Sequence, residues 1–299
     1  MTRRFRTTKF IPFLAFLLKN VAPKFLDFTD FPIVKGEIEK QKKERIVIIF
    51  SHIEENSFRD YHIEILKLFL EKNKFEIAQL RFGPDKDGGY NLPVLMSKGS
   101  QWITIGLGTN VEFENELSYN DNLVKTFDHT LTYRPRNLNR SIKWYKYGYS
   151  PNKTHFTGTI NDIINLSEID STIEWNLKVD IEGAEWTLFE EVIKLENRPV
   201  TLICEIHGLL YDPETFKSKL DTLIKLFSTY QIISLHGNNF SAYYINHEYG
   251  LYDVIEVTMI LKSELNSFKS RQTKLNKMVH ARNDPYSYEA PIFLKLDKS

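Results

Sequence analysis

Cysteine is almost absent from this chain. Cys204 stands alone among 299 residues, so no internal disulfide can brace the fold. It sits in the apolar run Thr201-Leu202-Ile203-Cys204, where a buried, inert thiol is expected. A reducing compartment is consistent with that. Net charge is missing too: 39 Lys and Arg balance 39 Asp and Glu. Bulk electrostatics therefore draws no polyanion, and no basic run reads as a nucleic-acid face. The apolar run 10–18 is too short to span a bilayer. The full G-x-G-x-x-G of dinucleotide sites is absent, as are H-x-x-x-H and C-x-x-C, so zinc is not favoured.

What is present is ordinary for a soluble globular protein: 42% hydrophobic and 26% charged residues. Arg3, Arg4, Arg6 and Lys9 precede the 10–18 run in the layout of a signal peptide, but no A-x-A pattern follows. A packing helix or a peripheral helix on a membrane surface is the preferred reading, and a secretory signal the less favoured one. The expected location is cytoplasmic, with this segment as the candidate membrane contact.

Beyond residue 44 the pattern alternates between strand and helix. Strand-like runs occupy 45–50, 102–105, 123–127, 175–179, 199–206, 230–235 and 254–261. Helical patterns fall at 58–71 behind Ser57, from Glu112, at 184–195 and at 213–227, with a short helix or loop at 159–169. Residues 81–93, rich in Gly, Asp and Pro, read as a loop or an Asp87-Gly88 turn. The basic, aromatic stretch 131–149 reads as an edge strand or a ligand mouth. Such alternation predicts an α/β fold with a mostly parallel sheet.

Four strands end in chemistry-bearing residues: Asp128, Asp180 to Glu182, Glu205 to His207, and His236 to Asn239. In a parallel sheet those ends converge on one edge. Gly106-Leu107-Gly108-Thr109 after the second strand has the form of a phosphate- or nucleoside-binding turn. Asp128, about 20 residues on, stands where Rossmann-like folds hold ribose hydroxyls. His207 or His236 can serve as general base near neutral pH, with Asp180 orienting it or binding a cofactor. Salt bridges, turn aspartates and core histidines are the bland readings of the same residues.

These blocks carry a family resemblance. Residues 180–186, DIEGAEW, resemble the signature of FkbM-like S-adenosylmethionine-dependent methyltransferases. The Asp87-Gly88-Gly89-Tyr90 loop, Gly106-x-Gly108 with Phe113-Glu114, and Phe127-Asp128-His129-Thr130 resemble further blocks, as do 205–208, 236–239 and 254–258. The resemblance implies a Rossmann-like class I methyltransferase sheet, its last strand antiparallel, with helices on both faces. It implies 79–262 as the methyltransferase domain, 1–78 as a partly helical N-terminal extension, and 263–299 as a C-terminal extension packed on the domain. It further implies O-methyl transfer to a carbohydrate or small-molecule hydroxyl, with S-adenosylmethionine as cofactor and a divalent metal not favoured. Asp87, Gly88, Tyr90, Gly106, Gly108, Thr109, Asp128 and Asp180 would then hold the cofactor, and His207, Asp180 and His236 would act on the acceptor. The turn departs from the pattern in having no acid directly after the second glycine. Two rivals remain: a nucleotide-sugar glycosyltransferase using Asp85-Lys86-Asp87 as a D-x-D metal motif, and a non-catalytic Rossmann-like interaction domain.

Overall fold

The computed structural model describes residues 75–270, apart from 95–97, 171, 210–212, 242 and 246–248, together with Leu70, Ile48–Ile49 and Phe293–Lys295. The expectations for 1–44, and most of those for 45–50, 58–71 and the tail, lie outside these residues. The strands in chain order are β1 (Ile48–Ile49), β2 (Gln79–Phe82), β3 (Tyr90–Pro93), β4 (Gln101–Ile105), β5 (Leu123–Phe127), β6 (Lys143–Tyr145), β7 (Gly148–Tyr149) and β8 (Thr157–Gly158). They continue as β9 (Trp175–Val179), β10 (Thr201–Ile206), β11 (Tyr230–Gly237), β12 (Tyr243–Ile245), β13 (Tyr249–Tyr252), β14 (Ile255–Leu261) and β15 (Phe293–Lys295). The helices are α1 (Glu112–Tyr119), α2 (Ile160–Ser167), α3 (Glu185–Lys194), α4 (Pro213–Thr229) and α5 (Leu265–Ser270).

Seven strands form the central sheet in the order β11-β14-β10-β9-β4-β5-β6. From β10 to β6 every neighbouring pair is parallel. β14 is antiparallel to both β10 and β11, so β11 runs with the parallel set. This is the mostly parallel, Rossmann-like sheet that was expected, with its last strand antiparallel.

Its central strands are buried along their whole length, which is why they read as near-continuous apolar runs rather than alternating ones. Alternation reappears in what each residue packs against. Ile103, Leu177, Leu202 and Cys204 join a core with Ile160 of α2, Leu188 of α3 and Leu223 of α4. Trp102, Val124, Ile203 and Ile260 join a second core with Phe113 of α1 and Phe82 and Tyr90 of the β2–β3 hairpin. Cys204 is fully buried, and burial pushes its thiol pKa well up, so it is the inert thiol expected.

Two boundaries differ from the sequence reading. Only 83–89 is loop within 81–93; its flanks pair as the β2–β3 hairpin. Phe82, Tyr90 and Leu92 bury in the second core, and that apolar pattern is hidden in sequence by the Gly, Asp and Pro around it. β11 runs on through His236 and Gly237, because both pair with β14. A smaller sheet, β1-β12-β13-β15, joins strands from either side of 79–262. Thr159 caps α2 with a capping box shared with Asp162, which settles that segment as a helix. No helix among the described residues is long and apolar enough to cross a membrane.

Asn176 stitches three strands together. Buried in β9, it donates from Nδ2 to the Gln101 carbonyl at 3.2 Å and accepts at Oδ1 from Thr201 N–H at 3.1 Å. Asn176→Ala removes both bonds in a dry interior and is expected to cost about 1–3 kcal/mol in urea unfolding.

Candidate functional site

Chain order reverses between β4 and β9, the switch point where open α/β sheets take their ligands. A cavity of about 430 Å³ opens there, within the roughly 300–1,000 Å³ usual for small-molecule sites. Its wall is assembled from the end of β4, the end of β5, the end of β9, the start of α1 and the hairpin loop. Asp87, Gly88, Gly106, Gly108, Thr109, Asp128 and Asp180, expected to hold a cofactor, all line it.

Gly106 is there because nothing larger fits. Its φ is +83°, and a Cβ on it would sit 1.6 Å from the Asp180 carbonyl oxygen. Gly106 N–H bonds to Phe127 O at 3.0 Å, and Asp180 N–H bonds to Ile105 O at 3.0 Å. The turn is thus clamped between the ends of β5 and β9. Gly108 also has positive φ, +60°, but a Cβ there meets nothing within 4 Å. It borders open space.

Asp128 braces that turn. Its Oδ2 accepts from Leu107 and Gly108 N–H at 3.0 and 2.9 Å, and its Oδ1 from the N–H and hydroxyl of Thr130 at 2.8 and 2.6 Å. Burial opposes the charge, yet bonds from Thr130, Gly108 and Leu107 outweigh it and hold the pKa below the usual carboxylate value. The sequence places Asp128 toward ribose; the structure adds that Oδ2 serves the glycine turn and Oδ1 the loop that follows β5.

The hairpin loop is tied down by Arg81, which donates to the carbonyls of Pro84 and Lys86. Its tip meets the segment just before α1, where Asn110 donates to the Asp87 carbonyl at 3.0 Å. Of the two acids in Asp85-Lys86-Asp87, only Asp87 lines the cavity; Asp85 is exposed beside Arg81. Tyr90 is buried beneath the loop, outside the cavity wall, and its hydroxyl donates to Asp180 Oδ2 at 3.3 Å.

At the end of β9, Lys178 donates to the Gly106 carbonyl at 2.6 Å and lies 3.5 Å from Asp180 Oδ2. Burial opposes its charge, but Asp180, Glu114 and Glu205 outweigh burial and raise its pKa. The next turn puts Glu182 in the left-handed region at φ +57° and Gly183 at φ +110°. Glu185, fully buried at the start of α3, accepts from Ile181 and Gly183 N–H at 2.9 and 2.8 Å, and its Oε1 lies 3.0 Å from His207 Nδ1. His207 Nε2 stands 3.6 Å from Glu182. Burial disfavours the imidazolium, but the hydrogen bond and charge of Glu185, with Asp180 and Glu182, raise the His207 pKa overall. A base needs the neutral ring, and here that form grows only as pH climbs through the raised value.

Asp180, Glu205 and His207 are brought together: one ligand-type atom from each lies within 4.8 Å of the others. Glu205 accepts from the Asn238 side chain. Burial, then Asp180, Glu256 and Asp87, push its pKa well up. Of Asp180, Glu205 and His207 only Asp180 lines the cavity; Glu205 and His207 lie outside its wall, as does His236, which is buried in β11 opposite Glu256. Asn238, not His236, is the residue of the 236–239 block that reaches Glu205. Lys178, Glu114 and Glu185 were missed as site residues. Lys178 had a signal, a cation inside a buried apolar strand two residues before Asp180. Glu185 had a weaker one, an acid two residues past a glycine turn, where a helix N-terminus favours it.

No protein-family model matches the chain, and no curated protein matches it. Among solved structures, it is similar to the Methanococcus jannaschii fibrillarin pre-rRNA processing protein. That likeness is 14% identity over 57% of this chain and 70% of that one, with a TM-score of 0.35. The fold assignment rests on strand order and direction, not on that likeness.

Two glycines separate folding from binding. Gly106→Ala is expected to lose more than about 2 kcal/mol in chemical unfolding, since it combines positive φ with a backbone clash. Gly108→Ala should lose only about 1–2 kcal/mol while still narrowing the cavity mouth. Asp128→Asn is expected to cost about 1–3 kcal/mol at neutral pH, from weakened charged hydrogen bonds. Because the folded pKa is depressed, that contribution is present above the unfolded carboxyl value. The gap between variant and wild type should shrink as pH falls through the folded value, read by denaturant midpoints across acid pH.

Proposed function

We propose that this protein is an S-adenosylmethionine-dependent O-methyltransferase acting on a carbohydrate or small-molecule hydroxyl. The observation that carries this reading is the charge of the switch-point cavity. Asp87, Asp128, Asp180 and Glu182 line it, with the buried Glu114, whose pKa burial raises, against Lys178 as the one lysine or arginine of the wall among the described residues. A negative cavity favours a cationic ligand. S-adenosylmethionine, with a sulfonium, an ammonium and one carboxylate, is net positive, whereas a nucleotide sugar carries two negative phosphates. The same charge disfavours the glycosyltransferase alternative, as does the separation of Asp85 from the cavity.

The residues fit the cofactor. Gly106, Gly108 and Thr109 offer a backbone cradle at its amino-acid end, and Lys178 is the cation beside it. Asp128 stands at the ribose position. His129, Thr130, Gly148 and Tyr149 form the wall beyond β5, where a flat base would lie. The sequence resemblance to FkbM-like methyltransferases points the same way. The cofactor supplies an activated methyl group. The protein must align the acceptor oxygen with it and exclude water. As the O–C bond forms and the S–C bond breaks, sulfur keeps the electron pair. The hydroxyl proton leaves toward the cluster of Asp180, Glu205 and His207 at the adjoining strand ends.

Isothermal titration of the full chain with S-adenosylmethionine, and separately with a UDP-sugar plus manganese, tests the reading. Micromolar binding of the first and none of the second is expected. The reverse result would establish the glycosyltransferase reading instead, and binding of neither would leave a non-catalytic domain. Mass spectrometry of glycans from cells with and without the gene should reveal one lost methyl group on the acceptor.

A further inference from the structure

We infer that Asp180, Glu205 and His207 form a divalent metal site at the acceptor side of the cavity, for an ion of the Mn²⁺ or Zn²⁺ class. The three residues come from the ends of β9 and β10, and their ligand atoms gather within 4.8 Å of one another. Three ligands of one ion, each about 2.0–2.2 Å from it, lie roughly 3.3–3.6 Å apart in a tetrahedral set. Side-chain rotations on the order of an ångström are therefore needed to close the set. The absence of H-x-x-x-H spacing does not count against it, because the ligands are supplied by strand ends far apart in sequence.

The second observation is the residue behind the histidine. Glu185 is fully buried and is anchored by two backbone N–H groups. Its Oε1 takes the Nδ1 side of His207 at 3.0 Å. A carboxylate fixing one ring nitrogen as donor orients the other as a lone pair, the outer-shell arrangement found behind metal-ligating histidines. Nε2 is thereby left on the side of Glu182, a residue of the cavity wall 3.6 Å away. Asp180 has a free position as well: Tyr90 and Lys178 both use Oδ2, and Oδ1 takes no hydrogen bond among the described residues. Glu205 is a carboxylate only 5% exposed whose hydrogen-bond partner is an amide rather than a cation. Two carboxylates and one imidazole neutralise a divalent ion. A mixed nitrogen and oxygen set suits Mn²⁺ or Zn²⁺ better than Mg²⁺ or Ca²⁺, which prefer oxygen alone.

The role follows from position. Asp180 belongs both to this set and to the cavity wall. An ion held there would face an incoming hydroxyl, orient its oxygen and lower its pKa. That role rests on the methyltransferase reading, whereas the site itself does not. With an ion bound, Nε2 would ligate it, and the hydroxyl proton would pass to solvent instead of to this cluster. A neighbouring set, Asp87, Glu205 and Glu256, shares Glu205 but is all carboxylate, and nothing further marks it as a site.

The test uses the full chain stripped with chelator. Mn²⁺ binding is followed by the loss of the free-ion EPR signal, and Zn²⁺ by competition. One equivalent should bind, and pulsed EPR should show nitrogen coupling from one imidazole. Glu205→Gln and His207→Asn should weaken binding at least about tenfold, and Glu185→Gln by roughly 10–100-fold. Glu256→Gln should leave it unchanged. No binding at millimolar metal, no nitrogen coupling, or a loss confined to Glu256→Gln overturns the proposal. Nitrogen coupling needs no variant, so it decides the matter even if a substitution unfolds the chain. S-adenosylmethionine titrated into the metal-free protein separates the two ideas. Metal bound without cofactor sinks the methyltransferase reading alone, and cofactor bound without metal sinks the metal site alone.

Discussion

The close approach of Gly106 to the Asp180 carbonyl is the constraint on which the rest of the site depends. It brings the end of β4 against the end of β9 so tightly that a single methyl group would have to overlap an oxygen. The space for the cavity, the reach of Lys178 to the Gly106 carbonyl and the bonds of Asp128 to the same turn all follow from that contact. A side chain at position 106 would push the end of β9, and Asp180 with it, away from the end of β4.

A second feature is the concentration of buried charge on one face of the sheet near its carboxyl edge. Glu114, Lys178, Glu205 and Glu256 are all buried there. Burying ionised groups is costly unless they are paired or bind something. Acids outnumber Lys178: burial above all raises the pKa values of Glu114 and Glu205, and the neighbouring acids outweigh burial to raise that of Lys178. The β2–β3 hairpin seals this face: Gln79 donates to the Ile233 carbonyl at 2.8 Å, and Asn91 to Ser234 at 3.3 Å. The excess negative charge therefore belongs to a sheltered compartment beside the cavity, where a cationic ligand or ion gains most.

The loop from Asp180 to Gly183 joins both features. It departs from the strand through a left-handed Glu182, a conformation a non-glycine residue holds only where its surroundings enforce it. Glu185 supplies the enforcement by accepting from two of the loop's amides. The same carboxylate then orients His207. One buried acid thus shapes the loop that carries Asp180 and fixes the ring that faces it.

Much of this was legible in the chain. The runs of β4, β9 and β10 are apolar because both sheet faces are covered, so their existence and type follow from composition. The helices follow from periodicity, and the glycine turn and Asp128 from their spacing. The convergence of Asp180, Glu205 and His207 required only that β9 and β10 be parallel. Other features were decided by tertiary structure. The hairpin hid in a Gly- and Asp-rich stretch, because its strands are held by burial against Trp102 and Phe113 rather than by local propensity. His236 and Asn238 look alike as strand-end candidates, and only the continued pairing of β11 with β14 keeps the histidine in the strand and lets the asparagine reach Glu205. Glu185 and Lys178 gain their roles from contacts with His207 and Gly106, residues at other strand ends. Local sequence determines which elements form and in what order. Which of two neighbouring polar side chains reaches Glu205 depends on strand register, and register is set by long-range packing.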